Sequence, residues 1–510
     1  MKVLNLSGID GVADYHLPAK LKDAMCLVKT DLGNIELRVS SHLINSAEVM
    51  DYERQLKKTN TEFKLVPSNI AEIVELNQQS GVTAQEQLNI IHGKIFEIFS
   101  AATDARSSDI HFRLRSKLCN VFFRVDGKLR FYKELTPEDG KSYINSLFNT
   151  RCEDRSHQSI SYQEPCGAKV SEDFVQPLGL SGGRFASRPV ADGGMVAVIR
   201  LISRRNEILS MEQLGLTDTE IETLERAIAK PTGVIFLTGP MGSGKSTLAQ
   251  VVCELLTSRD PGIHLLTVEN PVESPIKGAV QTSLGTGEEW WEAIKSMMRL
   301  DLNWILIGEV RDPLSASAAI EAAQTGHNVL TTIHTTFPID TISRLKSLNV
   351  QSDLITDASL ITCLVGQRLA PKLCPSCKQK YTDSSKSIAP VIKKIIDKHC
   401  NIDSIYLKNP QGCSECSGAG VKGRVGIFEV IEVDANFMDI YHSQGKIKAY
   451  EHWYINGGAT LCTNTLRLIN NGEIDPVLSH KDVCNLDRDY LIFTDEVRAS
   501  AKMNREKINE

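Results

Sequence analysis

The chain has 510 residues, of which 42% are hydrophobic, 24% charged and 6% aromatic, a balance that excludes wholesale disorder and fits ordinary globular domains. At roughly 100 to 200 residues per domain, the length predicts about three folded units. The formal net charge of −6 gives no overall pull toward phosphate backbones, so nucleic acid is not the expected partner.

The first residues, Met1 to Asp10, carry one lysine and no long apolar stretch, so no secretory signal is expected. No run approaches the roughly 18 to 20 apolar residues that span a bilayer, and any membrane association is expected to be peripheral. Thirteen cysteines without an export signal point to a reducing compartment and to local metal use rather than to a disulfide framework.

Residues 1–80 mix short apolar stretches with polar runs and contain no motif; they are expected to form a small N-terminal module of unassigned role. From Leu88 to Ala101 the apolar spacing predicts an amphipathic helix, followed by Arg106-Ser107-Ser108-Asp109-Ile110-His111. The alternating stretch Asn120 to Val125 reads as a strand, and Asp126-Gly127 as a hairpin turn. Another strand is predicted from Met195 to Ile202. The polar Ser203 to Asn206 then marks a boundary, giving a mixed α/β second domain over 81–205. Residues 206–510 carry the clearest α/β pattern, with apolar strands at Val234 to Leu237, Leu265 to Val268, Ile305 to Ile307 and Val329 to Ile333. Helix-length segments separate them, which predicts a parallel, doubly wound sheet with its chemistry at the strands' carboxyl ends.

Gly239-Pro240-Met241-Gly242-Ser243-Gly244-Lys245-Ser246 fits G-x-x-x-x-G-K-[ST] in full, between a predicted strand and a helix running from Thr247. In such a loop the glycines let backbone amides wrap a phosphate. The lysine reaches the β and γ phosphates, and the Ser246 hydroxyl is placed for Mg²⁺. ATP and Mg²⁺ are therefore the expected ligands, with residues 239 to 247 as the cradle. Two carboxylates close predicted strands nearby, Glu309 and Glu269. Glu309 is the candidate for orienting the attacking water and Glu269 for a metal or water contact. His327 and His334 flank one short strand and cannot share a metal. Either alone reads as an ordinary core or surface histidine, but the strand's position beside the cradle makes His334 a candidate sensor of the γ phosphate.

Cys374-x-x-Cys377 and Cys413-x-x-Cys416 are two knuckles with the spacing of a closed tetrahedral zinc site, although the loop between them is longer than in the common zinc ribbon. Such a site would be structural. A four-cysteine subdomain is expected over about 366–430, followed by a helical C-terminal region. The other nine cysteines show no such pairing.

Together these residues resemble the assembly ATPases of type IV pili and type II secretion, the PilB and GspE family. The resemblance runs from about residue 85 to 475. Arg106 to His111 with Phe123 to Gly127 looks like the family's second N-terminal domain, and Glu269 to Glu273 looks like its Asp box, with Asn270 in place of the usual aspartate. Glu309-Val310-Arg311-Asp312 is similar to the end of its Walker B motif. Gly326 to Thr335 is similar to its His box, and Gly423 to Glu429 follows the second cysteine pair as in the family. Lys295 and Arg299 stand where the family commonly has two arginines, and Asp301-Leu302-Asn303 replaces a usual Asp-Pro-Asp.

The resemblance implies a RecA-like core, a PAS-like second domain and a homohexamer that hydrolyses ATP at the cytoplasmic face of the inner membrane, acting on a platform protein. It also implies that Arg184 and Arg200 reach the nucleotide, with Arg113 and Arg124 as further candidates. The four-cysteine subdomain favours pilus or pseudopilus assembly over retraction. The expectation is a type IV pilus motor, with a type II secretion motor as the alternative. A nucleic-acid translocase or zinc-ribbon nucleic-acid-binding protein is a reading from another class, opposed by the acidic charge and the lack of a Lys/Arg stripe interleaved with aromatics.

Overall fold

The computed structural model describes residues 4–6, 17, 21, 24–30, 33–58, 61–79, 84–125, 127–191, 193–203, 209–285, 287–385 and 388–508. Asp126 of the expected turn and the polar segment after Ser203 lie outside the described residues.

The expected parallel sheet is present and larger than the four strands read from sequence. Its order is Val280–Ser283, Leu265–Glu269, Trp304–Ile307, Asn328–Ile333, Gly233–Thr238, Ile361–Leu373, Val421–Glu432. Every pair is parallel except the last, which is antiparallel. The central strands are apolar throughout because both faces are covered. Val234 and Phe236 enter one core, with the helices Trp290–Met297 and Pro313–Gln324. Ile235 and Leu237 enter the other, with the helix Lys245–Arg259. This is the doubly wound arrangement, and it sets the loops that follow the parallel strands along one edge.

A second seven-stranded sheet precedes it, in the order Lys128–Leu135, Cys119–Val125, Asp109–Leu114, Met195–Ser203, Leu180–Pro189, Cys166–Val170, Cys152–Glu153. All of its pairs are antiparallel. Alternation is clean in Cys119–Val125, where Val121 and Phe123 are buried and the residues between them are not. The buried side packs on the helices Ala84–Asp104 and Pro137–Arg151. Thr136 caps the second of these by accepting from Asp139 N at 3.1 Å, with Pro137 in the first turn where its missing N–H costs nothing. Val125 faces Lys128 in antiparallel register and Gly127 holds φ 81.

Near the N-terminus, Leu4–Asn5, Met25–Lys29, Ile35–Ser40 and Lys64–Ser68 form a four-stranded sheet with the helices Ala47–Lys58 and Ile70–Gln79. Leu27, Leu37, Val39, Tyr52 and Leu56 make its small core.

The long strands Ile361–Leu373 and Val421–Glu432 pair from Cys363 opposite Glu432 to Leu373 opposite Val421. They carry an arm beyond the main sheet, in which Gln379–Lys380 pairs with Tyr406–Leu407 beside the helix Pro390–His399.

Candidate functional site

The loop from Gly239 leaves the strand Gly233–Thr238 and enters the helix Lys245–Arg259. Gly239 holds φ 146 and Gly244 φ 94. A Cβ on Gly239 would lie 2.5 Å from the Gln367 carbonyl oxygen, and one on Gly244 2.7 Å from Gln367 Nε2. Backbone conformation and space both demand glycine at 239, where the neighbour is a main-chain oxygen; at 244 the positive φ is the requirement, since the Gln367 side chain could move. The resulting turn, together with the helix N-terminus, makes a concavity suited to anions. Lys245 Nζ donates to Gly239 O at 2.7 Å and Pro240 O at 3.1 Å. Burial pushes its ammonium down to about 8, against the upward pull of Glu309. The buried Ser243 hydroxyl has no partner among the described residues. An unsatisfied donor and a half-desolvated cation on one loop fit a polyphosphate.

Strand order explains the rest of the site. The strand Asn328–Ile333 lies between Gly233–Thr238 and Trp304–Ile307, so the residue just past its end, His334, stands between the cradle and Glu309. Its Nδ1 is 3.2 Å from Gly239 O and its Nε2 is 3.0 Å from Glu309 Oε1. Arg311 holds the other Glu309 oxygen, Nε at 2.7 Å and Nη2 at 2.6 Å from Oε2. Glu269 ends the adjacent strand, where Thr267 Oγ1 donates to its Oε1 at 2.7 Å and Gln281 Nε2 at 3.0 Å. Burial raises the Glu269 carboxyl above its ordinary range, and those two hydrogen bonds oppose the shift. His327 sits at the far end of its strand, with Nδ1 3.1 Å from Ala322 O.

These groups line a cleft of about 490 Å³ that also receives the second sheet. Met241, Gly242, Lys245, Ser246 and Thr247 lie on one side, Glu269, Glu309, Arg311 and His334 on another, and Arg184 and Arg200 face them. Arg113 and Arg124 do not line it. The Arg113 guanidinium lies 4.5 Å from the Phe122 ring centroid, and Arg124 Nε is 3.5 Å from Asp109 Oδ2. Three cations in the cleft had no place among the sequence candidates, Arg106, Arg311 and Arg424. Arg106 belongs to a segment recognised only as a motif, and Arg424 arrives on the strand Val421–Glu432, more than 170 positions beyond the loop.

The four cysteines of the arm converge. Their sulfurs all lie within 4.8 Å of one another, with Cys374 to Cys413 at 3.8 Å, Cys377 to Cys416 at 3.9 Å and Cys413 to Cys416 at 3.8 Å. Four sulfurs about 2.3 Å from a tetrahedral Zn²⁺ would stand about 3.8 Å apart, so the donor set fits that ion. Antiparallel pairing at Leu373 and Val421 brings the two knuckles to the same end. Cys413 N and Gly420 N donate to Cys416 Sγ, each at 3.1 Å.

A glycine-rich loop after Gly233–Thr238, a glutamate two strands away and a histidine just past the end of the strand between define a P-loop ATPase with a RecA-like core. A family profile described as "Type II/IV secretion system protein" matches residues 84–483. The chain belongs to that family and is one of its ATPases. It is 30% identical over 383 residues to the Type II secretion system ATPase E of Vibrio cholerae, covering 74% of this chain and 72% of that one. With the putative type II secretion system protein E of Escherichia coli it shares 29% over 378 residues, covering 74% and 73%. Among solved structures, the pilus retraction motor PilT with bound ADP superposes with a TM-score of 0.51 at 23% identity, covering 74% of this chain and 94% of that one. The Legionella pneumophila ATPase DotB gives 0.51 at 21%, covering 73% and 90%. Both likenesses concern the fold. Among the described residues no helix is long and apolar enough to cross a membrane.

Proposed function

We propose that this ATPase is a homohexameric motor that powers assembly of a type IV pilus, working on a platform protein at the cytoplasmic face of the inner membrane. The observation that carries the mechanism is the position of His334, in contact with both Glu309 and the P-loop carbonyl of Gly239. Glu309 orients the attacking water and His334 reports the γ phosphate to it. Lys245 and the amides of residues 239 to 247 hold the phosphates. Ser246 and Glu269 would hold Mg²⁺, which would supply positive charge against the phosphates. Arg184 and Arg200 complete the site from the second domain, so that closing the cleft couples hydrolysis to movement of 81–205 against 206–510. Among the described residues none of the module over 1–80 lines the cleft. Cys374, Cys377, Cys413 and Cys416 would hold a structural Zn²⁺ in the arm over about 366–430.

A type II secretion motor is the second reading, favoured by the names of the curated relatives. The parent organism carrying E309Q separates the two, with surface pilin and extracellular enzymes scored side by side. Loss of pilin alone supports the pilus reading. Retained pili with enzymes trapped in the cell would replace it with the secretion reading.

A further inference from the structure

The second sheet carries a row of charged residues set directly opposite one another across six strands. Arg124 faces Asp109, Asp109 faces Arg200, Arg200 faces Arg184, Arg184 faces Lys169, and Lys169 faces Glu153. Like charges opposite one another destabilise a sheet, and Arg200 beside Arg184 is such a pair at the wall of the nucleotide cleft. Asp109 differs from its neighbours in being buried. Its side chain is 8% exposed, whereas that of Arg200 is 50% exposed. Arg200 Nε lies 3.3 Å from Asp109 Oδ1, Arg124 Nε 3.5 Å from Oδ2, and Ser108 Oγ donates to Oδ2 at 2.7 Å.

Arg200 uses only Nε for this contact. Among the described residues its two terminal nitrogens have no partner, and Arg200 lines the cleft. Arg184 has no ion pair or hydrogen bond from its side chain among the described residues. The carboxylate therefore does two things. It fixes the root of one guanidinium while leaving its donors aimed outward, and it screens Arg200 from Arg124 on its other side.

We propose that Asp109 is a positioning residue for ATP hydrolysis, holding Arg200 ready for the terminal phosphate. This rests on the reading of Arg200 given above. A buried carboxylate between two arginines is costly to form and costly to break, and its consequence here is an arginine set in place before the nucleotide arrives. A misplacement of about 1 Å in such a group can cost about a hundredfold in rate.

The test is steady-state ATPase kinetics on the full-length protein with D109N, R200A and the double variant, each checked by thermal melting. D109N is expected to lower kcat by about 10- to 100-fold with KM for ATP within about threefold. The double variant should be no slower than R200A, because the carboxylate acts through that arginine. D109E, which keeps the charge one methylene farther out, should recover part of the rate, and it replaces D109N if the latter melts below the assay temperature. Parent kcat in D109N while R200A is slow would overturn the proposal and leave Arg200's role standing. A double variant slower than R200A by the whole D109N factor would also overturn it. R200A at the parent rate would instead remove the reading on which it rests.

Discussion

His334 Nε2 lies 3.0 Å from Glu309 Oε1 while its Nδ1 lies 3.2 Å from the carbonyl oxygen of Gly239. Each ring nitrogen therefore faces one acceptor, the carboxylate on one side and the main-chain carbonyl on the other. The ring thus ties the P-loop to the carboxylate across the one strand that separates them. E309Q should keep ATP binding and lose about 10²- to 10⁴-fold in kcat, the usual worth of a positioned base. H334A should lower kcat less, by about 10-fold, because water orientation loosens while the carboxylate remains. Parent turnover in purified E309Q would remove Glu309 from the chemistry.

Gly239 offers a sharper test of the cradle than a charge deletion. With φ at 146 and a hypothetical Cβ 2.5 Å from Gln367 O, alanine can be housed only by moving the loop or the strand behind it. G239A should abolish binding of a fluorescent ATP analogue while the melting temperature without nucleotide falls by only a few degrees, since the loop contributes little to either core. K245A should also lose binding. Full affinity in G239A would mean that the loop does not grip phosphate through its backbone.

Much of this site was legible because it is local in sequence. The P-loop, Glu309 and His334 each sit within two residues of a strand end, and an apolar strand buried on both faces announces itself. What stayed hidden depends on pairing between distant segments. Val280–Ser283 is an edge strand with a largely exposed pattern and one aliphatic residue, so periodicity had nothing to act on. Ile361–Leu373 joins the main sheet by parallel pairing with Gly233–Thr238, and Val421–Glu432 joins by antiparallel pairing with Ile361–Leu373 across the cysteine arm, which brings Arg424 to the cleft. The contact of Arg200 with Asp109 spans 91 positions. No spacing rule reaches that far. The N-terminal sheet shows the same limit, since its strands are short and Ile35–Ser40 pairs in parallel with Lys64–Ser68 across the helix Ala47–Lys58.

The family motif ending in Glu429 has a structural explanation that predicts a pH effect. Glu429 is fully buried. Its Oε1 accepts from Tyr450 Oη at 2.7 Å and its Oε2 from Leu461 N at 2.8 Å, which binds the strand Val421–Glu432 to the C-terminal helices. Burial pushes its carboxyl up to about 7, against the downward pull of Arg488. A carboxyl that titrates higher in the folded chain holds more protons there. Its contribution to stability is therefore whole below the ordinary 4.5 and is lost as pH rises through about 7. The difference in melting temperature between parent and E429Q should shrink between about pH 5 and about pH 8. Parallel melting curves across that range would show that Glu429 does not titrate as its surroundings dictate.

The cysteine arm gives the last test, and it separates fold from chemistry. With four sulfurs spaced for a tetrahedral ion, a metal bound there would have no open position and would act only by holding the arm together. Zinc bound to four thiolates is worth about 10 to 16 kcal/mol near neutral pH, more than a small arm can recover from its own core, which around the cysteines is only Ala419 and Val421. Purified protein should carry one zinc per chain by elemental analysis, and C377S should carry none. Limited proteolysis of C377S should cut between residues 374 and 424, because Cys374 and Gly420 would no longer be held in register at the arm's neck. ATP-analogue binding should survive in that variant within about threefold, since the cradle and Glu309 lie on strands the arm does not support. Zinc retained at full stoichiometry in C377S, or an arm as resistant to protease as the parent's, would mean that the four sulfurs meet for some reason other than a metal.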